Sequence, residues 1–211
     1  MTGIFDGPAD STPLEIDGQE ALIPTWIASR SDLNNAEQAN IAKATTWAFG
    51  HRWNVADLDQ RWLMGLHHRM FRDVWRRAGH YRQKETNVGL VWHDISSAVS
   101  ELVLDLDAQV HAGPAITWSA DEIAVRFHHR LVAIHPFVNG NGRHARLASD
   151  VLVVALGEMR FDWGAGGHLA EKGTARDRYL SALRRADQEG DYSELLVFAR
   201  SSEEPTRTAG A

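Results

Sequence analysis

The sequence of 211 residues predicts an all-α fold, because apolar side chains recur at helical spacing along most of the chain. Short stretches that contain helix-capping residues or glycine separate these periodic segments. Residues 80–92, HYRQKETNVGLVW, instead alternate polar and β-favouring residues, a pattern typical of a short β-hairpin. We therefore predict a helical bundle that carries one short hairpin.

The first half of the chain predicts an irregular arm and two helices. Residues 1–30 lack an apolar period, although Thr12-Pro13-Leu14-Glu15 has the form of a capping box. The first helix covers residues 32–49. The second covers residues 55–78, with Asn54 as its candidate cap and Gly79 as its candidate C-terminal glycine. Its apolar residues are spaced by fours: Leu58, Trp62, Leu66, Met70 and Val74.

Five further helices follow the predicted hairpin. Apolar spacing from Ile95 to Val110 marks the third helix, and a capping box at residues 119–122 opens the fourth, which runs to Ile134. The fifth begins at the glycines of residues 140–142 and runs to Gly157. The last two helices are predicted at about 174–188 and 192–200. Residues 31–200 are thus expected to form one domain with its core at about 55–157, followed by a flexible tail at 201–211.

Composition and charge exclude several classes of function. The net charge of −6 gives no overall attraction to nucleic acid or to an anionic membrane. The chain has no cysteine, and its longest apolar run, residues 151–156, is far too short to span a membrane. The first residues lack the pattern of a secretory signal. A cytoplasmic protein is the expectation.

Residues 135–146, HPFVNGNGRHAR, carry the chemistry. They join two predicted helices, so the glycines place backbone N–H groups at the start of a helix, where the dipole favours an anion. Arg143 and Arg146 lie three residues apart on the first turns of that helix and share a face. His135 precedes the loop and can serve as a general base. These residues predict phosphoryl or nucleotidyl transfer, in which His135 takes a proton from an incoming hydroxyl.

This stretch resembles the signature of the Fic family, His-Pro-Phe-x-Asp/Glu-Gly-Asn-Gly-Arg-x-x-Arg, at every defined position except Asn139. Residues 76–82, RRAGHYR, resemble the family segment that enters a hairpin called the flap, and residues 37–40 resemble its first core helix. Asn139 followed by HAR is similar to the subgroup called mobile mystery protein B. The resemblance implies a Fic-type helical bundle with a short β-hairpin flap.

The resemblance also implies an activity, the transfer of AMP from ATP to a Ser, Thr or Tyr hydroxyl of a target protein. His135 and Arg143 would be catalytic. The nucleotide would be bound by Gly140, Asn141, Gly142, Arg143 and Arg146. The flap, here residues 83–90, would dock the target through Thr86, Asn87, Val88 and Gly89. Tyr179 on the sixth helix is a candidate for lining an adenine pocket.

Asn139 departs from the family pattern, whose acidic residue binds the Mg²⁺ (or Mn²⁺) that accompanies ATP. An amide oxygen can bind a hard cation but carries no charge. Three outcomes stay open: weaker metal binding with activity retained, transfer of another phosphate-containing group, or a Fic-fold protein that binds a nucleotide or a partner without catalysis.

The sequence is compatible with more than one mode of regulation. Many Fic proteins carry an inhibitory helix whose glutamate pairs with the second motif arginine. Residues 11–15 match five of its six positions, but a capping box explains them more simply. An inhibitory partner protein or self-association is compatible with the sequence. The adjacent pairs His67-His68 and His128-His129 diverge by about 100° on a helix, which disfavours a shared metal ion.

Overall fold

The computed structural model describes residues 21–112, 118–164 and 173–201. Within these ranges the chain forms seven α-helices and no β-strand, which confirms the predicted all-α class. The helices are α1 (Arg30–Phe49), α2 (Gln60–Phe71), α3 (Ile95–His111), α4 (Ala120–Ile134), α5 (Asn141–Ala155), α6 (Thr174–Glu189) and α7 (Ser193–Arg200). Short 3₁₀ turns at Val55–Asp57 and Trp92–Asp94 precede α2 and α3.

The centre of the fold is the α4–α5 pair, joined by the loop at residues 135–140. Helix α3 packs on α4, while α2 packs on both α1 and α5. Phe71, Leu131, Phe137 and Leu152 are among the large side chains that are almost fully buried where these helices meet. Burial of such a side chain contributes about 1.5–3 kcal/mol, so this core fixes the two helix ends that bound the loop.

The second predicted helix is shorter than its apolar period suggests. Asp59 caps α2 by accepting from the N–H of Trp62 at 2.7 Å, so Val55–Asp57 becomes a separate 3₁₀ turn. After Phe71 the chain continues as turns whose apolar residues, Val74 and Trp75, are still buried. The spacing of apolar residues by fours therefore continues beyond the end of the helix, because the turns also bury apolar residues at about that interval.

Part of the predicted N-terminal arm pairs with these turns. The N–H of Ile23 donates to Val74 O and the N–H of Arg76 donates to Ala21 O, both at 2.9 Å. The predicted capping box at 12–15, its alternative interpretation as an inhibitory motif, and the tail from residue 202 lie outside the described residues. None of the described helices has both the length and the apolar character that membrane crossing requires.

Candidate active site

Two left-handed residues bracket the loop between α4 and α5. His135 ends α4 with φ 54° and ψ 58°, and its N–H donates to Leu131 O at 3.3 Å. Gly140 precedes α5 with φ 73°, and a Cβ there would overlap the ring of Phe71. Glycine is therefore required at residue 140 both by its dihedrals and by the close packing. The reversal exposes the first amide N–H groups of α5, which have no partner within the helix.

Asn141 closes the loop with its side chain. Its Oδ1 accepts from the N–H of Phe137 at 2.9 Å, and its Nδ2 donates to Phe137 O at 2.8 Å. The residue is 3% exposed. Its amide group is therefore engaged inside the loop, and the element that remains for an anion is the backbone of residues 140–142 at the helix start.

Phe137 is held by two buried histidines. The His67 ring stacks on Phe137 with centroids 3.7 Å apart, and His144 meets it edge-on at 5.0 Å. The N–H of Gly79 donates to His67 Nδ1 at 2.9 Å, so Nε2 carries the proton and donates to Asn139 O at 3.2 Å. Burial lowers the pKa of His67 well below its usual range, so the ring is neutral. The sequence disfavoured a metal site at His67-His68 but did not indicate that His67 supports Phe137.

Arg82 joins the segment at residues 80–91 to the loop. Its guanidinium donates to three backbone carbonyls: Nε to His135 O at 2.8 Å, Nη1 to Lys84 O at 2.9 Å, and Nη2 to Leu90 O. Its own N–H donates to Pro136 O at 2.9 Å. The side chain is 1% exposed, and its nearest carboxylate, on Glu85, is 4.0 Å away. The guanidinium thus works as a multiple hydrogen-bond donor that fixes both arms of the flap.

The predicted β-hairpin is wrong in its secondary structure. Residues 80–91 reverse direction without strand pairing, because Arg82 bonds the two arms in place of a backbone ladder. Thr86 tightens the tip by donating from Oγ1 to Val88 O at 2.6 Å. A Cβ on Gly89, which has φ 99°, would overlap the Cβ of His135. The flap therefore lies directly against His135, and Asn87, Val88 and Gly89 are exposed at its tip.

His135 is uncharged at neutral pH. Burial, and next the nearby charge of Arg82, lower its pKa to about 4, while a hydrogen bond with the backbone of Val132 acts in the opposite direction. A neutral imidazole can accept a proton, which a general base must do.

Arg143, the first of the two arginines near the start of α5, contacts α1. Its Nη1 lies 2.9 Å from Glu37 Oε2, and the Glu37 side chain is only 5% exposed. Trp75 Nε1 donates to the other carboxylate oxygen at 2.8 Å. Sequence reasoning did not assign Glu37 a role at the site. The signal was a carboxylate at position 37 in an apolar stripe spaced by fours, between Leu33 and Ile41.

Arg146, the second of these two arginines on α5, contacts α6. Its guanidinium is 5.6 Å from the ring centre of Tyr179 and hydrogen-bonds to the Tyr179 hydroxyl. Its Nη1 is 3.8 Å from the place that a Cβ on Gly142 would occupy, so the cation reaches back to the first turn of α5. Tyr179 is 6% exposed, so its ring is part of the core and contacts Arg146 from there.

The residues around Asn139 do not form a metal site by themselves. Within residues 21–112, 118–164 and 173–201, no cluster of three or more His, Asp or Glu side chains could hold an ion. Asp150, the acidic residue next along α5, is 5% exposed and accepts from Trp163 Nε1 at 2.8 Å. Burial raises its pKa to about 6. Asn139 thus offers one uncharged amide oxygen to a metal ion.

A cavity of about 380 Å³ adjoins the end of α4. Leu90 of the flap and Ile134, which precedes His135, line one side, and Tyr192 lines another. His129 and Asp187 contribute polar atoms, with His129 Nε2 2.8 Å from Asp187 Oδ1. The cavity is large enough for a nucleoside-sized group and combines apolar walls with a few polar atoms, as small-molecule sites do. Tyr179 does not line it.

Comparisons with known proteins agree with the geometry. Residues 57–153 match the model of the Fic/DOC family. The chain is 30% identical over 114 residues to protein adenylyltransferase fic-1 of Caenorhabditis elegans, an alignment that covers 49% of this chain and 22% of that protein. The chain therefore spans about a fifth of the length of this curated relative.

Solved structures share the fold. BepC of Bartonella tribocorum with bound AMPPNP superimposes with a TM-score of 0.64 at 18% identity, covering 92% of this chain and 93% of BepC. An N-terminal Fic domain from Bartonella quintana with bound ADP gives 0.64 at 18% identity, covering 83% and 86%. Residues 134–508 of Fic-1 from C. elegans give 0.60 at 20% identity, covering 88% and 52%.

Replacement of Arg82 by methionine is expected to destabilise the protein by about 3–5 kcal/mol, because three carbonyls lose a charged donor. Arg82→Lys should recover part of this loss. Urea unfolding measures the effect, and hydrogen exchange should show faster exchange of amides 83–90. The exposed Arg77→Met is the matched control and should stay within about 0.5 kcal/mol of wild type. An Arg82→Met protein as stable as this control would contradict the assignment.

The substitution Glu37→Gln is expected to have two opposite effects. Loss of the carboxylate should lower stability by about 1–3 kcal/mol, since a largely buried guanidinium loses its counter-charge. The same loss should strengthen binding of tripolyphosphate, because the charge of Arg143 is no longer neutralised. Calorimetry measures binding, and the exposed Glu158→Gln is the control. Weaker polyphosphate binding in Glu37→Gln would show that Glu37 only orients Arg143.

Proposed function

We propose that this chain, whose residues 57–153 match the model of the Fic/DOC family, is a protein adenylyltransferase that transfers AMP from ATP to a hydroxyl group of a target protein. One observation carries the proposal. A neutral His135 lies at the end of α4, while the N-terminus of α5 and two arginines lie one loop away. The name of fic-1 and the nucleotides bound in the Bartonella structures support it.

The reaction follows from these residues. His135 takes the proton from a Ser, Thr or Tyr hydroxyl of the target. The hydroxyl oxygen then forms a bond to the α-phosphorus of ATP, and the bond from that phosphorus to the bridging oxygen breaks, so pyrophosphate leaves. The N–H groups of residues 140–142 stabilise the charge on the transferring phosphate. Arg143 and Arg146 meet the charge of the leaving pyrophosphate.

The cavity beside α4 would hold the nucleoside. Two residues that line it, Ile134 and Leu90, lie beside His135 in the chain and in the flap. Its size suits a purine nucleoside. Leu90 and Tyr192 supply apolar surface for the base, and the His129–Asp187 pair supplies polar atoms. This position would leave the phosphates to extend toward the start of α5.

The flap would place the target. Asn87, Val88 and Gly89 are exposed at its tip. The backbone at Gly89 lies so close to the His135 side chain that a Cβ on Gly89 would overlap it. An extended target segment bound along this tip would bring a hydroxyl to His135. Recognition through backbone atoms needs few side-chain contacts, which suits targets of varied sequence. The cytoplasm, where ATP is abundant, is the proposed location.

Transfer of AMP can be tested directly. Wild-type protein incubated with labelled ATP, Mg²⁺ or Mn²⁺ and cell lysate should label a protein or itself with an added AMP mass. His135→Ala should reduce the label at least 100-fold, because the general base is lost. His68→Ala is the control for loss of an imidazole outside the loop. ATP binding by wild type without any label would favour a non-catalytic binding protein, and a different added mass would identify another transferred group.

The metal can be tested at Asn139. Asn139→Asp adds a charged oxygen where the family has a carboxylate, so Mg²⁺ should bind the protein–nucleotide complex about tenfold more tightly. Calorimetry with ADP present measures this without relying on turnover. Asn87→Asp at the exposed flap tip is the control for a change of charge alone. Equal Mg²⁺ affinity in Asn139→Asp and wild type would remove Asn139 from the metal site.

A further inference from the structure

Arg143 and Arg146 of α5 have partners of opposite kinds. Arg143 pairs at 2.9 Å with the carboxylate of Glu37, which is almost fully buried and whose charge opposes that of the guanidinium. Among the residues that the structure describes, Arg146 makes no ion pair within 4.0 Å; the neutral phenol of Tyr179 is its hydrogen-bond partner, and the Asp150 carboxylate attracts it from beyond that distance. The charge that remains available to an anion at this end of α5 is therefore mainly that of Arg146.

The Tyr179 hydroxyl is itself fixed. Its oxygen lies 2.9 Å from Nε2 of His128, a residue with 0% exposure. Burial, and next the charge of Arg146, lower the pKa of His128 to about 3, so the ring is neutral and can accept from the phenol O–H. The phenol oxygen is then left to accept from the guanidinium of Arg146, which can only donate. The three side chains come from α4, α6 and α5, so each helix holds one member of the chain of hydrogen bonds.

We propose that Tyr179 is a positioning residue that holds Arg146 in place to bind the outer phosphates of the nucleotide. The position of Arg146 Nη1 near Gly142 places the cation at the first turn of α5, where the phosphates would lie. Without the hydroxyl, the long side chain of Arg146 gains rotamer freedom, which must be lost again on binding. This inference rests on the proposed nucleotide site and adds the residue that orders its second arginine.

The test is Tyr179→Phe, which keeps the ring in the core and removes only the hydroxyl. Calorimetry with ATP, ADP and AMP should show a loss of about tenfold for ATP, a smaller loss for ADP and none for AMP, because the Tyr179 hydroxyl no longer orders the charged side chain of Arg146. In the transfer reaction the KM for ATP should rise by a similar factor, with a smaller change in kcat. A merely structural role of Tyr179 would weaken all three nucleotides equally.

A double substitution tests whether the Tyr179 hydroxyl acts through Arg146. Arg146→Ala should abolish the preference for ATP over AMP, and adding Tyr179→Phe to it should cause no further loss, because the hydroxyl acts through Arg146. Independent, additive losses would overturn the inference, as would ATP binding by Tyr179→Phe equal to wild type. If ATP binds with this pattern and no AMP is transferred, the proposed function fails and the role of Tyr179 stands. If wild type binds none of the three nucleotides, both fail.

Discussion

The hydrogen bonds from Arg82 to three backbone carbonyls are the constraint on which the rest of the site depends. A buried cation without a close carboxylate is costly, and the carbonyls of residues 84, 90 and 135 offset that cost. Each of these carbonyls lies in a segment that has no regular pattern of backbone hydrogen bonds. One side chain therefore fixes the flap, the end of α4 and the backbone of His135 relative to each other. The same charge helps to keep the His135 ring neutral.

Buried neutral histidines form the second layer of support. The rings of His67 and His144 pack against Phe137 and bond to the carbonyls of Asn139 in the loop and Leu63 in α2, so the two imidazoles tie Phe137 and the loop to the neighbouring helix. Burial lowers the pKa of His144 to about 4, which leaves it uncharged as well. A buried polar ring can donate a hydrogen bond to a carbonyl of the irregular loop, which an aliphatic side chain could not do. The aromatic face meanwhile keeps the packing of Phe137 apolar.

Most of the helices and the loop chemistry could be predicted from the sequence, because both depend on local patterns. Helical spacing and the Ser119 cap place α4, and the glycines at 140–142 place the start of α5 within one residue. Contacts across the chain had no such signal. Arg143 finds Glu37 at a separation of 106 residues, and His67 finds Asn139 at a separation of 72. The hairpin prediction was wrong because alternation cannot show that an arginine, rather than a strand partner, would satisfy the carbonyls of residues 84 and 90.

The ion pair between Glu37 and Arg143 has a consequence for where the cooperative unit begins. Glu37 lies on α1, upstream of the residues 57–153 that match the family, and it also accepts from Trp75 within them. A fragment trimmed to the matched residues would expose an indole N–H and leave a largely buried guanidinium without its counter-ion. The smallest autonomous folding unit therefore extends upstream through the Ser29 cap of α1, beyond the boundary that family resemblance draws.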